Sequence, residues 1–519
     1  MTPFADLLEG LAFTPGRHAK LALMRAYFAA TPDPDRGWAL AALAGTLDLP
    51  HVTSSVIRGM VEERVDPVLF RLSYDYVGDL AETVALMWPN PVEVPPPPSL
   101  NAVVQAIRGA SRMERPRVLS RLLDGLGPSG RLALIKLCTG GMRVGVSTRL
   151  VQTALADEAH PIDRIAELWF GLEPPYTQLF AWLEGGAEPD VDMSLAFRPV
   201  MLATPIDEAR FETLEPRDFI AEWKWDGIRV QAVASAEGAR LYTRTGEDIS
   251  ESFPDVVGAM RFRGCLDGEL LVGREGEVAP FADLQKRLGR KRVTKPMLAS
   301  HPAFVRVYDA LELDGVDLRG EPLEARQADL AAWYDRERPE RFDLSEPIVF
   351  ATWDDLADLR EGARGAEMEG LMLKRRDSPY TAGRPVGPWF KWKRDPLEAD
   401  CVLMYAQRGH GKRSSFYSDY TFGAWTPEGG LLPVGKAYSG FTDAELERLD
   451  KWVRANFTER FGPVRGVKPG LVLEVEFDAV QASSRHKSGL AMRFPRIKRI
   501  RWDKPIEEAA TVADIRALI

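Results

Sequence analysis

Residues 184–194, EGGAEPDVDMS, are rich in glycine, proline and acids and carry no apolar period, so they divide the chain into two textures. Before this break, apolar residues recur at helical spacing. LALIKLCTGG ends on a glycine pair, as helix C-termini do, and STRLVQTALADEA opens with Ser147 at an N-cap position. The run NPVEVPPPPSL at 90–100 excludes both helix and central strand, so it links two helical subregions. After the break the segments are short, β-branched or aromatic, and often alternating: FIAEWKW, GIRVQAVAS, ARLYTRT, CLDGELLVG and AFVRVYDALEL. Helical stretches such as EARQADLAAWYDR intervene. From about residue 397 short strands dominate, with one helix, TDAELERLDKWVRANF, among them. The pattern predicts three domains: an all-α domain over 1–185, an α+β domain rich in antiparallel pairs over 195–397, and a small β-barrel over 398–519.

A chain of 519 residues is too long for one core, which agrees with this division. No apolar run reaches the length of a membrane span, and the start MTPFADLLEGLAF lacks the basic n-region of a secretory signal. Cys138, Cys265 and Cys401 are scattered, which excludes a disulfide framework or a cysteine-quartet zinc site and suits a reducing cytoplasm. A net charge of −9 argues against a polyanion partner only if charge is spread evenly. It is not. Basic residues cluster in QKRLGRKRVTK (285–295), KRR (374–376), KWKRD (391–395) and RHKSGLAMRFPRIKRIRWDK (485–504). Each run alone also fits a solvated face; together they suit a polyanion. A small barrel of the oligonucleotide-binding (OB) kind fits the C-terminal third.

The stretch most suggestive of chemistry is FIAEWKWDGIRVQAVAS, 219–235. Trp223 and Trp225 alternate around Lys224, so in a strand they leave Lys224 to project from the opposite face. Asp226-Gly227 then turns the chain into the next strand. A lysine nucleophile must be neutral when it attacks, and burial or nearby cations favour the neutral amine. Taken alone, Lys-x-Asp-Gly is a weak signal that better fits a lysine at a strand end before a turn. Other elements follow. LDGEL puts Asp267 and Glu269 on one strand face, where a cation beside them would relieve their repulsion. Tyr308 offers a ring able to cover a planar base. Glu369 begins a strand that ends in Lys374, and WFKWKRD places Lys391 and Lys393 on one face, where a phosphate would separate their charges.

In this order the elements resemble the covalent nucleotidyltransferases, and within them the ATP-dependent DNA ligases. The resemblance runs from about residue 195 to the end. It implies Lys224 as the residue that carries AMP, Glu222 and Tyr308 against adenine, and Arg229 on the ribose. Arg244 of YTRTGEDIS, Arg384, Lys391 and Lys393 would complete the ATP site, and Glu269 and Glu369 would lie near Mg²⁺. Arg493, Arg496, Lys498 and Lys504 of the terminal basic motif would face pyrophosphate or DNA. LIKLCTGGMRVGVSTRLVQTALADEA, 134–159, is similar to the signature of the helical DNA-binding domain of eukaryotic, archaeal and some bacterial ligases, with Arg143 on the DNA side.

The resemblance thus implies a monomeric cytoplasmic enzyme, nucleoid-associated if bacterial, that seals nicked double-stranded DNA. Lysyl-AMP forms first, AMP then passes to the 5′-phosphate of the nick, and the 3′-hydroxyl displaces it. An RNA ligase or an mRNA-capping guanylyltransferase shares the lysine motifs, but the helical region at 1–185 argues against both. An NAD-dependent ligase would need a cysteine quartet. A noncatalytic DNA-binding module would not need every charged motif position filled.

Overall fold

The computed structural model describes all residues except 15, 51, 78, 94, 141, 143, 275–276, 291–292, 363–366, 409–416, 439–441, 462–463 and 484–485. Arg143, Lys291 and Arg292 of the first basic run, and Arg485 of the last, therefore lie outside the described residues. The chain forms two compact units. One is Leu155–Arg394; the other combines Met1–Ala154 with Asp395–Ile519.

Among the described residues, twelve helices precede residue 184, from Thr2–Phe13 to Thr177–Leu183. Their ends follow local chemistry. The helix Leu100–Gly109 starts where the proline run stops. Ser99 Oγ caps it at Ala102 N (3.1 Å), and the Asp35 carboxylate, from another helix, takes the amides of Leu100 and Asn101 at 3.0 and 2.8 Å. Gly140 closes Pro128–Thr139 in the left-handed conformation (φ 70°), and Ser147 Oγ accepts from Leu150 N at 3.2 Å.

In the unit Leu155–Arg394 two sheets face each other. The first runs Thr204–Pro205, β7 (Trp389–Lys393), β6 (Met368–Arg375), β1 (Phe219–Trp225). The second runs β3 (Gly238–Thr243), β2 (Ile228–Ser235), β4 (Gly264–Arg274), β5 (Ala303–Leu313), then Val316–Asp317. The labelled pairs within both sheets are antiparallel. Phe219, Ala221, Leu371, Leu373, Phe390 and Trp392 cover one face of the first sheet and pack with Leu356. Its other face gives Ile220 and Trp389 to a cluster with Val233, Cys265 and Leu311 of the second sheet. The period of two along each strand thus sends alternate residues into the space between the sheets.

The C-terminal β domain has the strand order β10–β9–β8–β12–β11, where β8 is Leu397–Arg408, β9 Tyr417–Trp425, β10 Leu431–Ala437, β11 Phe457–Phe461 and β12 Val464–Val467. β13 (Val472–Phe477) pairs with β8, and also with the last strand. β14 (Ala479–Ala482) and β15 (Leu490–Arg493) form a hairpin before that last strand, β16 (Arg496–Arg501). The helix Asp443–Ala455 is capped by a reciprocal Thr442–Glu445 box.

The last two helices of the helical region, Ile162–Trp169 and Thr177–Leu183, belong to the same compact unit as the two sheets. Arg319 donates to Glu167 at 2.5 Å, and the ring of Phe170 lies 4.6 Å from that of Phe197, which in turn meets Tyr242 at 5.8 Å. Gly246, at φ +84°, leaves room for Phe170: a Cβ there would stand 2.2 Å from the ring. A chain beginning at residue 155 should therefore melt at least several degrees above one beginning at 186, which loses these contacts. Equal melting temperatures for the two truncations would contradict the packing.

Candidate active site

β1 shows how the strand period builds the site. Phe219 and Ala221 enter the core behind the sheet, with Trp223 partly buried beside them. Ile220, Glu222 and Lys224 point into the space between the sheets. Along this face burial declines: Glu222 is 1% exposed, whereas the Lys224 side chain is 25% exposed. The Arg306 guanidinium covers Trp225 at 4.2 Å. Lys224 thus stands at the more exposed end of this face.

β6 and β7 complete this face. Trp389, Lys391 and Lys393 alternate with the core residues Phe390 and Trp392, and Lys374 and Met372 alternate with Leu373 and Leu371. Gly370 is in register with Lys224 on one side and Lys393 on the other. Strict alternation would turn Glu369 away, toward the core face. Instead the register shifts between Met368 and Gly370, and the bulge turns Glu369 toward the two lysines. Lys224 Nζ donates to Glu369 Oε2 at 2.6 Å, and Lys393 Nζ lies 3.4 Å from the same oxygen. Gly370 adopts φ +145°, and a Cβ would come within 2.3 Å of the Trp392 carbonyl oxygen, so the bulge requires glycine. The partner nearest to the lysine is thus a carboxylate.

The cations nonetheless crowd together. Burial, and then the charges of Lys393, Arg384 and Lys224, push the Lys391 ammonium below the ordinary lysine range. Arg384 contributes from an exposed position in the loop before β7. Arg244 is exposed in the turn after β3, and among the described residues it makes no hydrogen bond or ion pair to this cluster.

From the second sheet come Arg229, Asp267, Glu269 and Tyr308. Asp267 is fully buried and accepts a fork of two bonds from Arg229, at 3.0 and 2.5 Å, with the hydroxyls of Tyr308 (3.2 Å) and Tyr380 (2.6 Å). Arg229 also donates to the Met201 carbonyl at 2.6 Å. The cation relieving the Asp267–Glu269 repulsion is therefore this arginine, which Asp267 holds in place. Burial keeps the Tyr308 and Tyr380 phenols protonated, so both donate. Burial pushes the Glu269 carboxyl up to about 8; Lys224 and Arg229 oppose this, while Glu369 and Asp267 add to it.

Three further groups lie beyond the predicted set. Lys374, at 1% exposure, donates to Glu222 Oε2 at 3.0 Å, with its ammonium 4.3 Å from the ring centre of Tyr308 and 4.8 Å from that of Trp389. Gln327, on the helix Leu323–Glu337, donates to Glu222 Oε1 at 2.7 Å. Tyr380 anchors Asp267. Lys374 belongs to a run read from the sequence as a basic stripe, and the run 285–295 likewise contains a core cation: Arg287 is fully buried and forked to Asp255 at 3.0 and 2.5 Å. Both are interior pairs and unavailable to a polyanion.

The terminal basic motif lies in the C-terminal β domain, where acids of neighbouring strands hold it. Arg496 pairs with Glu476 (2.7 Å), Lys498 with Glu398 (2.5 Å) and Lys504 with Asp400 (2.7 Å). Arg493 ends β15, with its guanidinium 5.3 Å from the ring centre of Phe494.

Residues 200–393 match the ATP dependent DNA ligase domain family, and residues 413–504 match the ATP dependent DNA ligase C terminal region. The chain is 32% identical to a probable DNA ligase of Koribacter versatilis, over 99% of this chain and 95% of that one. It is 30% identical to a probable DNA ligase of Anaeromyxobacter dehalogenans, over 100% and 99% of the two chains. A solved structure named Pmar-Lig_PreS3 shares the fold, with a TM-score of 0.62 at 15% identity, over 96% of this chain and 99% of that one.

Glu269 supplies a test of the site's electrostatics. It stays neutral in the folded protein up to about pH 8, whereas its ordinary value is 4.5. Between these values the folded state binds more protons than the unfolded, so this group makes the nucleotide-free protein less stable as pH rises. Glu269→Gln removes that component. In thermal unfolding, the variant should match the wild type near about pH 5 and exceed it by several degrees near about pH 8.5. A constant difference across that range would contradict the assignment.

Proposed function

The chain belongs to the ATP-dependent DNA ligase family, and on that premise we propose that it seals nicks in duplex DNA through an AMP joined to Lys224. The observation that carries this reading is the placement of Lys224 at the mouth of the cleft, bonded to Glu369 and flanked across Gly370 by Lys393. The cleft suits a nucleotide. Glu222 offers a buried carboxylate to the 6-amino group of adenine, Tyr308 offers a ring beside it, and Arg229, fixed by Asp267, reaches the ribose. Lys391 and Lys393, with Arg384 on the loop before β7 and Arg244 on its turn, meet the phosphates.

Lys224 Nζ attacks the α-phosphorus, a P–N bond forms, and the bond to pyrophosphate breaks with its electrons leaving on the pyrophosphate oxygen. Lys391 and Lys393 offset the charge that gathers on the phosphoryl oxygens. The AMP then moves to the 5′-phosphate of the nick, and the 3′-hydroxyl displaces it. Glu269 and Glu369 fit a magnesium ion, because their mutual charge helps to push the Glu269 carboxyl up and a bound cation relieves it. That ion would supply Lewis-acid stabilisation of the phosphates.

The helical region up to residue 185 would hold the duplex through its minor groove and backbone, as a monomer in the cytoplasm. The two-sheet domain at 195–397 carries the adenylation chemistry, and the C-terminal domain at 398–519 carries the terminal basic motif. Arg493, Arg496, Lys498 and Lys504 would serve while pyrophosphate is present, the last three exchanging their acid partners for it.

Two single-turnover assays test this: adduct formation from α-labelled ATP, and sealing of a nick whose 5′-phosphate already carries AMP. Lys224→Arg should form no adduct, since arginine stays protonated. Arg493→Ala and Lys504→Ala should slow adduct formation by ~10²-fold and leave sealing near normal, whereas Lys391→Ala should damage both. Adduct on the arginine variant would sink the nucleophile assignment. Equal damage in both assays for the terminal variants would make that motif part of a constant DNA-binding surface.

A further inference from the structure

Glu222 is the most deeply buried carboxylate on the cleft face of the first sheet, at 1% exposure, and each of its oxygens has a different donor. Lys374 Nζ serves Oε2 at 3.0 Å from the adjacent strand β6. Gln327 Nε2 serves Oε1 at 2.7 Å from the helix Leu323–Glu337. A carboxylate with one donor can pivot about that bond; a second donor from a separate element fixes the plane of the group. Each oxygen then keeps an acceptor position for a third partner. Gln327 also supports the charged form: burial pushes the Glu222 carboxyl up, and the bonds from Lys374 and Gln327 oppose this.

Gln327 is not needed to dock its helix. Leu323, Arg326, Leu330 and Trp333 are the buried residues there. Arg326 is fully buried, forks to Asp309 at 2.8 and 2.8 Å, and donates to the carbonyls of Glu321 (2.6 Å) and Ser378 (2.9 Å). Gln327 itself is only half-buried. Its one described bond is spent on Glu222.

We propose that Gln327 is a positioning residue for base choice: it sets the Glu222 carboxylate as a fixed acceptor for a purine whose 6-position bears an amine. A 6-oxo purine presents an acceptor at the same place and meets the acceptor oxygens of a carboxylate already paired with the Lys374 ammonium. Selectivity for adenine over guanine therefore depends on Gln327 as well as on Glu222. This rests on the reading that Glu222 faces the base of the nucleotide that adenylates Lys224.

The test uses the full-length protein and measures adduct formation with α-labelled ATP and GTP. Gln327→Met keeps the length and removes the donor. It should raise half-saturating ATP by ~10-fold, lower the maximal rate far less, and raise adduct from GTP relative to ATP. Gln327→Lys, which donates from the same helix position, should recover most of the discrimination. Unchanged half-saturation and base choice in Gln327→Met overturns the proposal, and so does a loss that Gln327→Lys does not repair. Glu222→Gln separates the two levels. If it alters base choice while Gln327→Met does not, the positioning role alone fails. If neither alters it, the reading of Glu222 as the base contact fails as well.

Discussion

The bulge at Glu369–Gly370 is the constraint on which the site depends. Regular pleating would align Glu369 with Leu371 and Leu373, behind the sheet, and leave Lys224 and Lys393 without their shared carboxylate. One extra residue reverses that side chain. The cost is a backbone conformation at Gly370 that other residues rarely adopt and a close approach that no Cβ allows. The arrangement puts an acid between two cations at the open end of a face whose closed end holds the buried Glu222–Lys374 pair.

The second sheet solves a different problem. Arg229 must be both charged and still, although it is mostly withdrawn from water. Asp267 achieves this from full burial, and Tyr308 and Tyr380 complete its acceptor positions with protonated hydroxyls. Three side chains from three separate segments thus share one carboxylate, and removal of any of them leaves a buried polar group short of a partner. Glu269, two residues along the same strand, lacks such a set and is held largely neutral instead. A structural acid and a cation-seeking acid therefore stand two residues apart on one strand, with different partners.

What could be read from the sequence is what local period and turn chemistry determine. The three textures appear in space as helices, two facing sheets and a C-terminal β domain; Gly140 and Ser147 terminate and start helices where expected; Glu222 and Lys224 share a face because they are two apart in a strand. What could not be read depends on long-range packing. The bulge at Glu369 is invisible to a rule of alternation. Gln327 meets Glu222 across 105 residues of chain, and no spacing announces it. Lys374 and Arg287 counted as parts of basic stripes, because a sequence shows charge but not the buried acid that neutralises it. The helices at 162–183 carried the same helical pattern as those before them, and only the Glu167–Arg319 and Phe170–Phe197 contacts show which unit they join.

The central claim is that Lys224, and no other lysine lining the cleft, takes the AMP. Its neighbours make this a sharp question: the environment of Lys391 disfavours its charge, and Lys374 is buried against the proposed base contact. The direct measurement is peptide mass mapping of the protein after incubation with ATP and magnesium. The account predicts one added AMP, on the peptide containing Lys224. AMP found on Lys391, Lys393 or Lys374 instead would contradict it.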